Sequence, residues 1–466
     1  MICIPSFAGK TIAVFGLGRS GISSVVALKR SGANVLVWDD TEKGRESARA
    51  IGIEPVDLYA SPWEKIDALI LSPGIPLDFP TPHPVAQLAR NAGVDIFGDI
   101  ELLARSEYTA KVIGITGTNG KSTTTALVGH LLSFAGHPVE VGGNLGVPVL
   151  DLESLQADGA YVLEMSSYQL ELTRSLIVDV ALLLNISPDH LDRHGGMDGY
   201  IAAKTKIFAG QSGSQTAIVG VDDEHSQKIY EELKASTNAN VIIISGEKVV
   251  PGGIYVDGGV LYDDSQDGAA EAVLRLNDLP TLPGVHNAQN AAAAYGVARA
   301  LGLDAKVIAS GMRTFPGLAH RQELLAVIDG VSYINDSKAT NGEAAARALA
   351  CYGNVYWIAG GRPKEGGIDA ARPYLDRVRH AYLIGEAAND FAGILKTRVP
   401  VTLSGDLSNA VGEARENALS ETGDGAVVLL SPACASFDQF DNFESRGNAF
   451  RDLVEALPGV RRNVGT

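Results

Sequence analysis

The chain has 466 residues, 45% hydrophobic and 20% charged, a globular composition long enough for about three domains, because single cores rarely grow past ~250–300 residues. Its formal net charge of −17, with no Lys/Arg-rich run to offset it, argues against non-specific nucleic-acid binding, although a locally positive pocket could still take an anionic small molecule. The longest apolar runs, such as VDVALLLNI, fall short of the roughly 20 residues that cross a bilayer. No basic-then-apolar leader opens the chain, and Cys3, Cys351 and Cys434 are widely spaced; a cytoplasmic protein with packed, unpaired cysteines is expected.

The first element predicted is a buried strand in KTIAVFG, followed by Gly16-x-Gly18-x-x-Gly21, a helix in ISSVVALKRSG stopped by Gly32, and a second strand, NVLVWDD, ending at Asp39 and Asp40. Glycines at this spacing permit a tight strand-to-helix turn and let a phosphate approach backbone N–H groups at the helix N-terminus. Taken alone, the fingerprint leaves a nicotinamide or flavin cofactor and some other nucleotide equally open. ALILSPG completes a first strand set, and the Pro- and Gly-rich LSPGIPLDFPTPHP marks a loop near a domain boundary.

KVIGITG opens a second set, continued by AYVLEMS, VALLLNIS, AIVGVD and NVIIISG. Directly after KVIGITG comes Gly117-Thr118-Asn119-Gly120-Lys121-Ser122-Thr123, then a helix with Leu127, Leu131 and Phe134 on one face and Gly136 beyond its end. Such a loop wraps phosphates in N–H groups while the lysine reaches the outer phosphates and a hydroxyl of Ser122 or Thr123 holds Mg²⁺. The loop is a compact variant of the usual pattern, since the position five before Gly120 is Ile115 rather than glycine. The Gly- and Asp-rich PGGIYVDGGVLYDDSQDG predicts exposed hairpin turns. After FPGLAH, a third set runs through SYINDS, VYWIAGG, AYLIGE and GAVVLLSPA. Alternating strands and helices throughout predict an α/β protein of parallel sheets. It has three domains: a Rossmann-like N-terminal domain (residues 1–98), a central P-loop ATPase domain (99–317) and a C-terminal Rossmann-like domain (318–466).

The motifs GTNGKST, GGNLG, EMSSYQL, NISPDHLDRH, LPGVHNAQN, HRQE, NDSKATN and LLSPACASFDQF together resemble the Mur ligase family, ATP-dependent cytoplasmic amide ligases of peptidoglycan synthesis related to folylpolyglutamate synthase. Within it, INDSKATN and SPACASFDQFDNFESRGNAF look like the member that adds D-glutamate to UDP-N-acetylmuramoyl-L-alanine. The resemblance covers nearly the whole chain and is weakest in the first domain and around residues 211–280. It implies that the first glycine turn holds the UDP of a sugar substrate instead of NAD. Arg19 and Ser20 would lie at the diphosphate, Asp39, Asp40 and Thr41 near the uridine, and Ser72 and Gly74 along the same cleft.

The resemblance further implies an acyl phosphate made from ATP, then attack by the amine of the incoming amino acid. Gly117, Thr118, Asn119, Gly120, Lys121, Ser122 and Thr123 would hold ATP, with Asn290 at the adenine and His286 and Asn287 as structural caps. Glu164, at a strand end, and His190 would join Ser122 as ligands of two Mg²⁺ ions, and Asn144 would contact the substrate or γ-phosphate. Lys204 resembles the lysine that the family carbamylates with CO₂ into an anionic metal ligand, Lys206 being its competitor in register. Arg321 would approach the phosphates and Asp336 the ribose. Lys338, Thr340, Lys364, Ser436 and Phe443 look like the D-glutamate pocket, with Arg362 the alternative to Lys364. A monomer that closes over its ligands, with no integral membrane association, is expected.

Several rival readings exist. Another ligase of the family would differ in its amino-acid pocket. A NAD(P)-dependent oxidoreductase would use the first glycine turn but leave GTNGKST without a purpose, and a regulatory P-loop NTPase would hydrolyse ATP without a sugar nucleotide. A zinc site from Asp189, His190, Asp192 and His194 competes with Mg²⁺, which is the better partner for phosphates.

Overall fold

A computed structural model of the chain describes residues 2–266, 269–279, 281–282, 284, 286–364, 366–421 and 425–462. Among the described residues the apolar runs assemble into three sheets. The first contains β1 (Thr11–Phe15), β2 (Asn34–Trp38), β3 (Ala68–Leu71) and β4 (Asp95–Phe97), all parallel, in the order β2-β1-β3-β4. Helix α1 (Arg19–Arg30) follows β1 through the glycine turn. Gly21 is required there because a Cβ would sit 1.9 Å from the Gly16 carbonyl oxygen. Helices α2 (Glu42–Ala50) and α3 (Pro84–Asn91) complete this layer, and α4 (Asp99–Ala104) leads into the next.

The second sheet begins with β5 (Lys111–Thr116), α5 (Lys121–Phe134), β6 (Val139–Gly143), β7 (Ala160–Glu164), α6 (Ser167–Glu171) and β8 (Val180–Leu183). Two short helices follow, α7 (Leu191–His194) and α8 (Met197–Thr205), then β9 (Thr216–Gly220), α9 (Glu224–Ser236) and β10 (Asn240–Ser245). Strands β11 (Ile254–Asp257), β12 (Val260–Asp263) and β13 (Glu271–Arg275) extend one edge antiparallel to each other, giving the order β13-β12-β11-β10-β9-β8-β5-β7-β6. Helices α10 (His286–Ala300) and α11 (Ala305–Arg313) close this part of the chain. The chain crosses over β5 between β7 and β8, so the carboxyl end of β5 is a topological switch point, where open α/β sheets bind their ligands.

The third sheet is built from β14 (Glu323–Ile328), β15 (Val331–Asn335), β16 (Val355–Gly360), β17 (Val378–Ile384), β18 (Val401–Gly405), β19 (Val427–Leu430) and β20 (Arg461–Arg462). Their order is β18-β17-β16-β19-β15-β14-β20, with β14 antiparallel to both neighbours and the rest parallel. Helices α12 (Gly342–Cys351), α13 (Ala388–Leu395), α14 (Leu407–Glu421) and α15 (Phe443–Glu455) join them. Because both faces are covered, successive strand residues enter different cores: Trp357 packs with Leu349 and Phe391 in one cluster, Tyr356 with Val411 and Phe450 in the other.

Contacts group the chain into two units, Met1–Asp278 with Val285–Arg313, and Leu279–Gly284 with Thr314–Thr466. The first unit contains the first two sheets, which share a core in which Phe97 and Ile100 cluster with Leu150, Leu152 and Tyr161.

Two local expectations are corrected. Phe134 does not join Leu127 and Leu131 in the core; it is 45% exposed, and Val128 and Leu132 complete the buried face instead. The Gly-rich stretch is more than surface turns. Its hairpin turns at exposed Gly258 and Gly259, but Ile254, Val256 and Leu261 are buried, and Asp263 accepts a 2.9 Å hydrogen bond from the Tyr295 hydroxyl of α10. Asp267 and Gly268 of that stretch, and Pro283 and Val285 of LPGVHNAQN, lie outside the described residues. In urea unfolding, Leu131→Ala should destabilise its unit by about 2–5 kcal/mol, whereas Phe134→Ala should change it by no more than about 0.5 kcal/mol.

Candidate active site

At the end of β5 the chain turns through Gly117 and Gly120, both at positive φ (147° and 83°), before α5 begins at Lys121. A Cβ on Gly120 would lie 2.1 Å from Oδ1 of Asn290, so only glycine fits. The loop is shaped from outside. Asn185, just past β8, accepts from the Asn119 N–H at 2.9 Å and donates to its carbonyl at 3.3 Å. Thr118 Oγ1 accepts from the Ser187 N–H at 3.0 Å and lies 3.0 Å from the Tyr200 hydroxyl. Lys121 Nζ donates to the carbonyls of Gly117 and Thr118 at 2.9 and 3.0 Å, while Ser122 and Thr123 are buried in the first helical turn.

Two ionisable side chains are buried beside this loop. Glu164, the last residue of β7, accepts from the Asn144 amide at 2.6 Å through Oε1, and its Oε2 is buried with no hydrogen-bond partner among the described residues. Lys204, on α8, is 1% exposed. Its Nζ donates to the Gly117 carbonyl at 2.8 Å and Thr116 Oγ1 at 3.4 Å, and lies 4.8 Å from the Tyr200 ring centroid. Burial, reinforced by the charge of Lys121 and only partly opposed by Asp189 and Glu164, lowers its pKa to about 7. Lys206 instead points outward to the Glu171 carbonyl at 2.8 Å.

His190 is exposed, in the left-handed region (φ 52°), with Asp189 at 3.5 Å and the Tyr168 ring at 5.1 Å. His194 turns inward, 4% exposed, to Ser167 Oγ at 3.0 Å. Burial first, then the charges of Arg193, His190 and Lys204, push its pKa down to about 4. Of the zinc reading, Asp189 stays beside His190 while His194 turns away, and among the described residues no group of three His, Cys, Asp or Glu side chains is assembled that could hold a metal. Asn290, expected at adenine, is 3% exposed and bonds to Thr124 and Asn287, so it supports the glycine loop from below.

Beside the first glycine turn, a cavity of about 750 Å³ is lined by Arg19, Asp39, Thr41, Lys43 and Ser47 of the first domain and by Pro148 of the middle one, among others. Burial would raise the Asp39 pKa, but hydrogen bonds from the N–H of Leu17 and from Thr41 outweigh it and hold the carboxyl below its usual range. Asp39 thus braces the glycine turn. Ser72 does the same from β3, donating to the Gly16 carbonyl at 2.7 Å, and the Arg19 guanidinium donates to the Gly146 carbonyl. Asp40 is engaged elsewhere, by Tyr59 and His83, while Gly74 is exposed and the Ser20 carbonyl accepts from Ser24 within α1.

In the second unit, Asp336 is buried, and burial raises its pKa to about 7 although Ser431 and the Gln322 N–H hydrogen-bond to it. Arg321 sits beside it as the opposing charge. Lys338 Nζ lies 4.8 Å from the Phe443 ring centroid, and Lys364 donates to Thr340 Oγ1 at 3.4 Å. Ser436 is buried. Arg362 pairs with Glu386, which leaves Lys364 as the cation facing Thr340. The buried Arg446, missed in the sequence, donates to Ser337 and to the Cys434 carbonyl and so ties together the loops bearing Lys338 and Ser436.

Residues 10–98 match the family model described as Mur ligase MurD-like, N-terminal domain, and residues 115–298 match Mur ligase middle domain. A UDP-N-acetylmuramoylalanine–D-glutamate ligase of Rhodospirillum rubrum is 52% identical over 466 residues, covering 99% of this chain and 98% of its own. The chain belongs to the Mur ligase family. A second relative of the same name, from Caulobacter vibrioides, is 51% identical over 465 residues with 98% of both chains covered. Among solved structures, the UDP-N-acetylmuramate-alanine ligase of Thermotoga maritima shares the fold, with a TM-score of 0.57 at 16% identity over 96% of this chain and 99% of that one. As in any Mur ligase, the parallel-sheet domains of this chain form an α/β enzyme scaffold, and the chain is an ATP-dependent amide ligase.

Gly120→Ala should abolish measurable nucleotide binding in calorimetry, because the new Cβ displaces either the loop or Asn290. For His194 the folded pKa lies below the unfolded one, so the unfolded state binds more protons between about pH 6.5 and 4 and stability falls as pH drops through that window. Thermal unfolding against pH should show this loss, and His194→Gln should flatten it.

Proposed function

We propose that the protein joins D-glutamate to UDP-N-acetylmuramoyl-L-alanine at the expense of ATP, releasing ADP and phosphate, in the cytoplasmic stage of peptidoglycan synthesis. In this reading residues 1–98 hold the UDP-sugar, 99–317 ATP, and 318–466 D-glutamate. The choice of amino acid rests on the names of the relatives. The observation that carries the chemistry is the meeting, at one phosphate loop, of a buried carboxylate with an unpartnered oxygen and a buried lysine held near neutrality.

A carboxylate is a poor acyl donor. One of its oxygens attacks the γ-phosphorus, the bond to ADP breaks, and the resulting acyl phosphate accepts the amine of D-glutamate at its carbonyl carbon. The C–O bond to phosphate then breaks, and the attacking neutral amine gives up one proton to solvent or a nearby base, keeping the other as the amide N–H. The loop's task is positioning and charge neutralisation, with Lys121 moving from its own carbonyls to the outer phosphates. Two cations, Lys338 and Lys364, would suit a substrate with two carboxylates.

The orphaned Glu164 Oε2 and the buried Ser122 hydroxyl fit a hard cation. Ser122, Glu164, His190 and a carbamylated Lys204 would hold Mg²⁺, which supplies neutralisation of phosphate charge. Carbamylation is chemically reasonable because a neutral amine can attack CO₂, losing a proton and forming an N–C bond. Asn144, which donates to Glu164 Oε1 at 2.6 Å, would orient that carboxyl group in the site.

Phosphate release from Mg-ATP, with UDP-N-acetylmuramoyl-L-alanine and a panel of D- and L-amino acids, should occur with D-glutamate alone and fall at least about 100-fold in Lys121→Ala. Turnover with a different amino acid would overturn the pocket assignment, and turnover without sugar nucleotide would favour a simple NTPase. Isotopically labelled bicarbonate should give a protein carbamate signal in NMR that disappears in Lys204→Ala, and CO₂-free buffer should lower the rate until bicarbonate is restored.

A further inference from the structure

The first-domain cleft and the phosphate loop are joined by one arginine that no motif reading singled out. Arg193 lies on α7, three residues beyond His190, and its guanidinium reaches out of the middle domain. It donates to the carbonyls of Phe79 at 2.6 Å, Ile75 at 3.3 Å and Pro73 at 3.4 Å. These three carbonyls belong to the LSPGIPLDF loop that carries Ser72 and Gly74. The planar, always-charged fork suits this task, since a lysine could not satisfy three separated acceptors.

The other face of Arg193 rests 4.9 Å from the Tyr168 ring centroid. From Tyr168 a run of ring contacts continues inward. His190 lies at 5.1 Å and His194 at 5.4 Å, His194 meets Tyr200 at 5.5 Å, and the Tyr200 hydroxyl reaches Thr118 in the phosphate loop at 3.0 Å. Gly195 completes the seam. At φ 70°, it lets the Phe79 ring close in to where a Cβ would be 2.7 Å away.

We infer that Arg193 is a positioning residue: it sets where the first-domain substrate loop stands relative to His190 and the phosphate loop, and so how well the bound carboxylate meets the γ-phosphate. The inference rests on the proposed reading of the first domain as the sugar-nucleotide site. A displacement of about 1 Å between reacting groups costs on the order of 100-fold in rate, and the contacts of Arg193 are the kind that prevent it.

Steady-state kinetics of the full-length enzyme test this with Arg193→Lys, Arg193→Ala and Gly195→Ala, the last pushing the same loop through the Phe79 ring. All three should raise the KM for UDP-N-acetylmuramoyl-L-alanine at least about fivefold and lower kcat about tenfold or more, leaving the KM for D-glutamate within about twofold. A purely structural arginine would not produce that split. Should Arg193→Ala fail to fold, Arg193→Lys and Gly195→Ala carry the test. Parent-like constants in both, or a uniform loss across all substrates, would overturn the role of Arg193 while parent turnover with D-glutamate leaves the ligase reading intact. An inactive parent would instead overturn that reading.

Discussion

The chemistry depends on a single constraint: the carboxyl ends of β7, β5 and β8 lie side by side, held by parallel hydrogen-bond register. Ile115 of β5 pairs with Glu164 of β7 and with Leu182 of β8. From those ends come Glu164, the phosphate loop and the segment bearing Asn185 and His190. Backbone pairing therefore delivers the carboxylate and the glycine loop to each other before any side-chain interaction is made. The switch point leaves a crevice between the crossovers, and the anion-seeking N-terminus of α5 opens into it.

Around that crevice the protein buries two ionisable side chains. Lys204 is surrounded by the loop carbonyls and the Tyr200 ring, with Lys121 nearby, an arrangement that favours its neutral form. Glu164 keeps one oxygen satisfied by Asn144 and leaves the other unpartnered. Leaving a buried polar atom unsatisfied costs about 1–3 kcal/mol, and ionisable groups buried in this way are characteristic of functional sites. The Asn185 clamp and the glycine-only approach of Asn290 hold the loop that must meet the ligand.

The same device recurs in the first domain with different residues. Asp39 and Ser72, from the ends of β2 and β3, hold the turn between β1 and α1 by hydrogen bonds to Leu17 and Gly16. A residue that sequence logic assigns to ligand contact thus also maintains the backbone that the ligand would touch. Arg193 then links this cleft to the middle domain.

The sequence by itself determined the strand-and-helix alternation, the two glycine turns and the residues of the phosphate loop, because each is written in a contiguous run whose local chemistry is unambiguous. It was silent on β4, β6, β13, β18 and β20, short or polar strands at sheet edges, where one side lacks a neighbour and the apolar signal fades, and on β14, an interior strand that begins at the end of the HRQE motif. It placed Phe134 inside, since helical spacing does not say how far a face is covered. Only the tertiary structure decided that Lys204 is buried while Lys206 faces outward, that His194 turns away from His190, and that Asn290 supports the loop. Those outcomes depend on residues distant in sequence, such as Thr116, Ser167 and Thr124, whose arrival beside them is set by sheet order and not by any local pattern.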